Sequence, residues 1–199
     1  MATRNGIPIP SSSYDTAAMK RLIKFQTPDP RRNLPPHLAK KRGEANYLVS
    51  FERMILSKKR KSGIGGRNFE MNGYGIADFI WIERTKLVIF GKTIFSGQIK
   101  LRAFELKLSN WKQALTQAYR YSYFSDMSIV VLPSKAAVAA VKHLELFRKM
   151  HIGLWKYDAR AANYKKIYEP RFSRPRSSSA KGKALSLLAR KPKLSSLLK

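Results

Sequence analysis

Residues 77–82 read Ala77-Asp78-Phe79-Ile80-Trp81-Ile82; after a turn-rich insertion come Ala103-Phe104-Glu105-Leu106-Lys107-Leu108, and then Gln117-Ala118-Tyr119-Arg120-Tyr121. The first two pieces predict strands, because apolar and β-branched residues dominate and Gly or polar residues bound them. Alternation puts Ile76, Asp78, Ile80 and Ile82 on one face of the first strand. A carboxylate therefore sits in an apolar row. Glu105 and Lys107 are two apart, so they share a face and lie roughly 7 Å apart along their strand. Upstream the same parity carries Ile99, Leu101 and Ala103, so these charges also replace core residues. Ionised groups facing a core are costly unless they are paired or bind a metal.

Outward from this stretch the chain reads as alternating elements. Glu44 to Lys58 predicts a helix, with Leu48, Phe51 and Ile55 on one side. Glu44 lies on that side; Glu52 also aligns with 48 and 55. Lys58-Lys59-Arg60-Lys61 begins a basic turn, followed by Ser62-Gly63-Ile64-Gly65-Gly66-Arg67. That turn reads either as a solvated loop or as a phosphate-contacting loop beside a cleft. Arg67 to Met71 predicts a strand, and Asn72-Gly73 a hairpin into the Asp78 strand. Lys86 to Gly97 predicts a hairpin extension. Its Gly91-Lys92-Thr93 is no phosphate-binding loop, because Lys86 occupies the required upstream glycine position and no helix follows.

Ser109 or Asn110 is suited to cap the next helix. Its stripe is Trp111, Ala114, Leu115, Ala118 and Tyr119, with Gln117, Arg120, Tyr121 and Phe124 on a neighbouring side. Ser128 to Leu132 predicts a buried parallel strand. One helix follows from Ser134 to about Met150, with Ala137, Val141, Leu144 and Phe147 or Arg148 inward. Strands near Ile152-Gly153-Leu154-Trp155 and Tyr164 to Tyr168 end the domain. The expected class is α/β: a mixed β-sheet flanked by helices on both faces.

This arrangement resembles the PD-(D/E)XK nuclease superfamily over roughly residues 44 to 158. Asp78 stands as its aspartate, Glu105-Leu106-Lys107 as its E-x-K element, and Gln117-x-x-x-Tyr121 as the helix motif of many members. Ala77 stands where the family often has proline. The resemblance implies a restriction-endonuclease-like fold and a metal-dependent DNA endonuclease that leaves 5′-phosphate and 3′-hydroxyl ends. It implies Mg2+, or Mn2+ as substitute, held by Asp78, Glu105 and the Leu106 carbonyl. Lys107 would stabilise hydroxide or developing charge, and a glutamate of the first helix, Glu44 or in reserve Glu52, would face the site. Gln117, Tyr121 and Arg120 would border the cleft. The alternatives are an ion pair that only satisfies itself, an inactive protein using the same fold as a nucleic-acid-binding platform, and a basic peripheral membrane or ribonucleoprotein component whose motif match is accidental.

Composition agrees with a polyanionic partner. The 199 residues carry 40 Lys and Arg against 12 Asp and Glu, a formal net charge of +28. Such an excess points to nucleic acid, DNA foremost. Lys58, Lys59, Arg60, Lys61, Arg67, Lys112 and Arg120 are the expected phosphate contacts. Tyr119 and Tyr121, flanking Arg120, suit stacking on unpaired bases, though helix packing also accounts for them. A homodimer is expected if both strands of a duplex are cut. There is no cysteine, which excludes disulfides and Cys-based zinc sites. His37, His143 and His151 form no cluster with metal-ligand spacing. No spanning segment or signal peptide is seen, so the expected setting is cytoplasmic or nucleic-acid-associated, without membrane and not secreted.

Three regions follow. Residues 1–43 form a basic Pro- and Ser-rich arm, with a short helix conceivable from Asp15 to Phe25. Residues 44–170 are the nuclease-like domain. Residues 171–199 form a basic tail with nine Lys or Arg and no acid. Both arms are expected to be disordered, with brief amphipathic turns at Ala184 to Leu188 and Leu194 to Leu198.

Overall fold

The computed structural model describes residues 3–4, 7–8, 22–24, 39–58, 63–89 and 92–190. Six long strands form one mixed sheet: β4 (Ile64–Met71), β5 (Gly75–Ile89), β6 (Lys92–Leu106), β7 (Met127–Leu132), β8 (Ile152–Asp158) and β9 (Asn163–Tyr168). A three-residue strand, β3 (Leu22–Lys24), runs parallel along β4 and makes the order β3-β4-β5-β6-β7-β8-β9. Strands β4, β5 and β6 are antiparallel, β6, β7 and β8 are parallel, and β9 returns antiparallel to β8. Thr3–Arg4 (β1) and Ile7–Pro8 (β2) pair separately.

The β4–β5 hairpin forms as Asn72-Gly73 predicts: Gly73 takes φ +85°, and the Tyr74 amide donates to Met71 O at 2.9 Å. Strands β5 and β6 continue past the core to the Ile89–Lys92 pair, which is the expected hairpin extension.

Strand alternation gives the sheet two apolar faces. On one, Phe79, Trp81, Phe104, Leu106, Ile129 and Val131 meet helix α1 (Ala39–Lys58) through Tyr47, Leu48, Phe51 and Ile55. The other face carries Ile80, Ile82, Leu101, Ala103, Val130 and Leu132. It is covered by α2 (Trp111–Tyr121), α3 (Ser134–Val141), α4 (Leu144–Met150) and α5 (Ser178–Ala189). The α/β class with helices on both faces stands. Asn110 caps α2, its side chain accepting from the Gln113 amide at 3.1 Å.

Three local expectations differ. Helix α1 begins at Ala39, before Glu44. Leu22–Lys24 is a strand rather than part of a helix; the rest of that expected helix lies outside the described residues. The expected helix from Ser134 to Met150 is two helices. His143 leaves helical geometry and stacks on Trp111, ring centroids 4.8 Å apart, while its amide closes a tight turn to Ala140 O at 2.9 Å. The apolar spacing 137, 141, 144, 147 runs straight through this break, so it could not reveal it. Val141 is 41% exposed as a result.

Residues 171–190 are not a disordered tail. Phe172 packs beside the α1 face, and the chain then turns round the sheet. Ser173, Arg176 and Ser177 amides donate to Asp126 O, Ser122 O and Tyr123 O. Helix α5 follows on the opposite face, burying Ala180, Ala184 and Leu188. Those residues are four apart, one face of a helix. Lys181 Nζ lies 2.6 Å from both carboxylate oxygens of the buried Asp126, which also accepts from the Leu101 amide at 2.8 Å. Residues 191–199, with the expected turn at Leu194 to Leu198, lie outside the described residues, as does most of the N-terminal arm.

Candidate active site

The pairing of β5 with β6 fixes the centre. One step beyond the Phe79–Phe104 pair, Asp78 comes level with Glu105 on the face shared with Ile80, Ala103 and α2. The Leu106 amide donates to Asp78 Oδ2 at 2.8 Å, which anchors that carboxylate across the two strands. Lys107 lies just past the end of β6 but stays in its ladder, its amide donating to Val131 O at 3.3 Å. Its ammonium reaches Glu105 Oε1 at 3.3 Å and Glu44 Oε2 at 3.8 Å.

Helix α1 brings Glu44 there because Gly43 can pass close to Leu108: a Cβ at Gly43 would stand 3.1 Å from Leu108 Cδ1. Of the two candidate helix glutamates, Glu44 is the one beside the centre, and it joins through Lys107. Glu52 is fully buried and pairs with Arg67 Nε at 2.8 Å.

Glu105 is 1% exposed. Burial, and next the neighbouring Asp78 carboxylate, push its pKa up to about 8 against the pull of Lys107 and Tyr121. Lys107 moves the other way from what its own burial would do. The Glu105, Asp78 and Glu44 carboxylates outweigh desolvation and hold its ammonium above the usual lysine range. Lys107 is therefore a fixed positive charge at neutral pH.

Tyr121 reads the state of Glu105. Its hydroxyl lies 2.7 Å from Glu105 Oε2 and 2.6 Å from Ile76 O. A phenol has one proton to donate. Both contacts are full hydrogen bonds when Glu105 carries its own proton and donates to Tyr121, which then donates to Ile76. Ionised Glu105 competes with Ile76 for the single phenolic proton.

Two further groups belong to this neighbourhood. Gln117 is one turn before Tyr121 on α2, and its Oε1 is buried without a hydrogen-bond partner. Asn68 on β4 comes level with Asp78, between the Arg67–Phe79 and Phe69–Ala77 pairs, and takes φ +54°. Asn tolerates this left-handed backbone better than most residues. Sequence reasoning passed over Asn68; an isolated Asn in a strand, opposite the Asp, was its only signal.

The expected phosphate contacts divide. Lys112 and Arg120 are exposed on α2, and Arg120 is close enough to ease the charged form of Tyr121. Arg67, by contrast, neutralises Glu52 on the α1 side. Lys58 is about 21 Å along α1 from Glu44, at 1.5 Å per residue. There it donates to Asn163 Oδ1 at 2.8 Å and lies over the Tyr164 ring. The described chain resumes at Gly63, and Ile64 pairs with Ile82. Lys59, Arg60 and Lys61 themselves lie outside the described residues.

Among the described residues, no three or more His, Cys, Asp or Glu side chains form a group able to hold a metal. Asp78 and Glu105 suit an ion content with two carboxylates and otherwise main-chain oxygen and water, the habit of Mg2+. Two facing carboxylates, one raised toward neutrality by burial, are an arrangement that a divalent cation would relieve. Among the described residues no helix is long and apolar enough to cross a membrane. Compared with models of protein families, with curated proteins and with solved structures, the chain matches none.

Proposed function

We propose that this chain is a metal-dependent nuclease that hydrolyses phosphodiester bonds of DNA, an endonuclease with a restriction-endonuclease-like PD-(D/E)XK core. The observation that carries the reading is the convergence of Asp78, Glu105, Lys107 and Tyr121 on one sheet face that is otherwise apolar. A merely structural ion pair needs one carboxylate and one cation. Here a second carboxylate works against the first, a cost that a bound cation would offset.

Asp78, Glu105 and the Leu106 carbonyl would hold Mg2+, with Mn2+ as substitute. When bound, the ion supplies Lewis-acid polarisation of the phosphodiester and a water of lowered pKa. The protein's own groups do the rest. Lys107, charged throughout the neutral range, faces the negative charge that develops on the phosphoryl oxygens and stabilises it more than the ground state. Glu44 holds Lys107 from its far side. Tyr121 fixes the Glu105 carboxyl in one orientation. Gln117, one turn before Tyr121 and with its buried oxygen lacking a donor, would accept a hydrogen bond from a water. The +28 net charge concentrates a polyanion at the surface through sequence-independent, salt-sensitive contacts. Two copies acting together would be needed to break both strands.

The test is cleavage of supercoiled plasmid with Mg2+ by wild type, Asp78→Ala and Lys107→Ala. Wild type alone should cut. Equal cutting by all three would reveal a contaminant. Tight binding without cutting under any divalent cation would leave a nucleic-acid-binding platform.

A further inference from the structure

Several groups near Tyr121 have no part in the hydrolytic centre, and they form a line leading away from it. Tyr123, just beyond the end of α2, packs on Tyr74 of the β4–β5 turn with ring centroids 5.5 Å apart. It also meets Tyr119 edge-on at 6.1 Å. All three rings are half-buried, and Ile76 beside them is 43% exposed. Tyr121 and Phe124 beside them are 1% and 0% exposed; Tyr74 meets Phe124 edge-on at 6.3 Å and leaves the rest of its ring outside the core.

The line continues into cations. Arg176 lays its guanidinium 4.7 Å over the Tyr119 ring and donates from Nε to Ser122 Oγ at 3.1 Å. Beyond it opens a cleft of about 320 Å³ whose walls include Ser122, Ser128, His151, Ser173, Arg174 and Arg176. Asp126 also reaches this cleft, but Lys181 neutralises it at 2.6 Å. Met127 and Met150 also line it, and the Ser122 and Ser128 hydroxyls already meet Tyr119 O and Ser125 Oγ, so it is the guanidinium groups of Arg174 and Arg176 that suit a phosphate. The volume sits at the lower end for a small-molecule pocket, too small to admit a double helix. Ring faces bind only bases whose own faces are free, that is, unpaired ones.

We infer that the nucleic acid taken by this protein is partly single-stranded. An unpaired strand leaves the carboxylate centre across Tyr74, Tyr123 and Tyr119, and its backbone enters the cleft of Arg174 and Arg176. The inference rests on the nuclease reading for what happens at the inner end of this track.

The test uses the full chain in EDTA, so that hydrolysis does not intrude. Fluorescence anisotropy compares a blunt DNA duplex with the same duplex carrying a single-stranded extension of about ten nucleotides, one of them 2-aminopurine. The extended DNA should bind on the order of tenfold tighter, with quenching of the 2-aminopurine by stacking. The double variant Tyr119→Leu/Tyr123→Leu keeps apolar bulk and should lose both the preference and the quench, with affinity for blunt duplex unchanged. Arg174→Gln, at an exposed position, should weaken binding of the extended DNA several-fold and lower its salt slope by about 1. Equal affinity of wild type for both DNAs would overturn the inference. So would quenching that survives in the leucine variant, or an unchanged salt slope in Arg174→Gln. The two readings fail separately. Preference and quench without any Mg2+-dependent hydrolysis keep the track and remove the chemistry; hydrolysis without preference does the reverse.

Discussion

Replacing Glu105 by glutamine should strengthen the metal-free fold at alkaline pH while abolishing hydrolysis. In the folded chain the carboxyl has its pKa raised from 4.5 to about 8. Between those values the native state holds a proton that the unfolded chain has released. Stability therefore falls as pH rises through that window and levels off above it. At about 1.4 kcal/mol per unit, the gap corresponds to nearly 5 kcal/mol, and relaxation around the ionised group reduces this to about 2–4 kcal/mol. Glutamine has no proton to lose. Its amide N–H can donate to Tyr121 as the protonated acid does, leaving the phenol proton for Ile76 O, and what it forfeits is the Lys107 contact at 3.3 Å. Urea unfolding in EDTA at about pH 5 and about pH 9 measures the effect, and with slopes of roughly 1–3 kcal/mol per molar it is a midpoint shift of about 1–2 M. Wild type should lose that much between the two pH values and the variant should not, so that the variant is the more stable protein at the higher pH. Midpoints that move in parallel would refute the buried-acid argument. Adding Mg2+ should recover the loss in wild type alone.

Four further outcomes follow from the geometry. Asp78→Ala and Lys107→Ala should each lower the cleavage rate by at least about a thousandfold while DNA affinity stays within a few-fold, read by single-turnover cutting and anisotropy. Arg67→Ala leaves Glu52 short of its cation in the core and should cost about 2–3 kcal/mol in urea unfolding, with no change in the salt slope of DNA binding. Leu188→Ala should cost about 2–4 kcal/mol, measured the same way, and a flat response would mean that α5 is not part of the core. Asn68→Gly should be nearly neutral, whereas Asn68→Val should cost about 1–2 kcal/mol for a β-branched residue at positive φ and slow cleavage by displacing Asp78.

The middle of the fold was legible because local and global signals agree there. Asn72-Gly73 demands an antiparallel β4–β5 pair, and the alternation through Asp78 and the Glu105-x-Lys107 parity each put charge on a single strand face; the structure has both. Tyr121 could be placed near the carboxylates because α2 follows directly on the β6 strand. Other groups depended on partners distant in sequence. Arg67 reads as a free cation until Glu52, fifteen residues earlier, is seen beneath it. Helix α5 looked like a soluble tail because its inward face is mostly alanine, which composition counts barely register, and because Lys181 finds Asp126 only after folding. The split at His143 came from an aromatic stack on Trp111, invisible to periodicity.

The closing of the sheet by α5 has a consequence for how the molecule is made. Lys181 reaches back 82 positions to the Ile99 carbonyl, and such distant pairings form late because chain entropy must be lost before they reward it. Until they form, Ile80, Leu101 and Ala103 present a greasy strip inside a lysine-rich shell. A newly synthesised chain in that condition is apt to coalesce with its neighbours or cling to cellular RNA. Slow, cool expression and a polyanion scavenger during refolding are the practical answer.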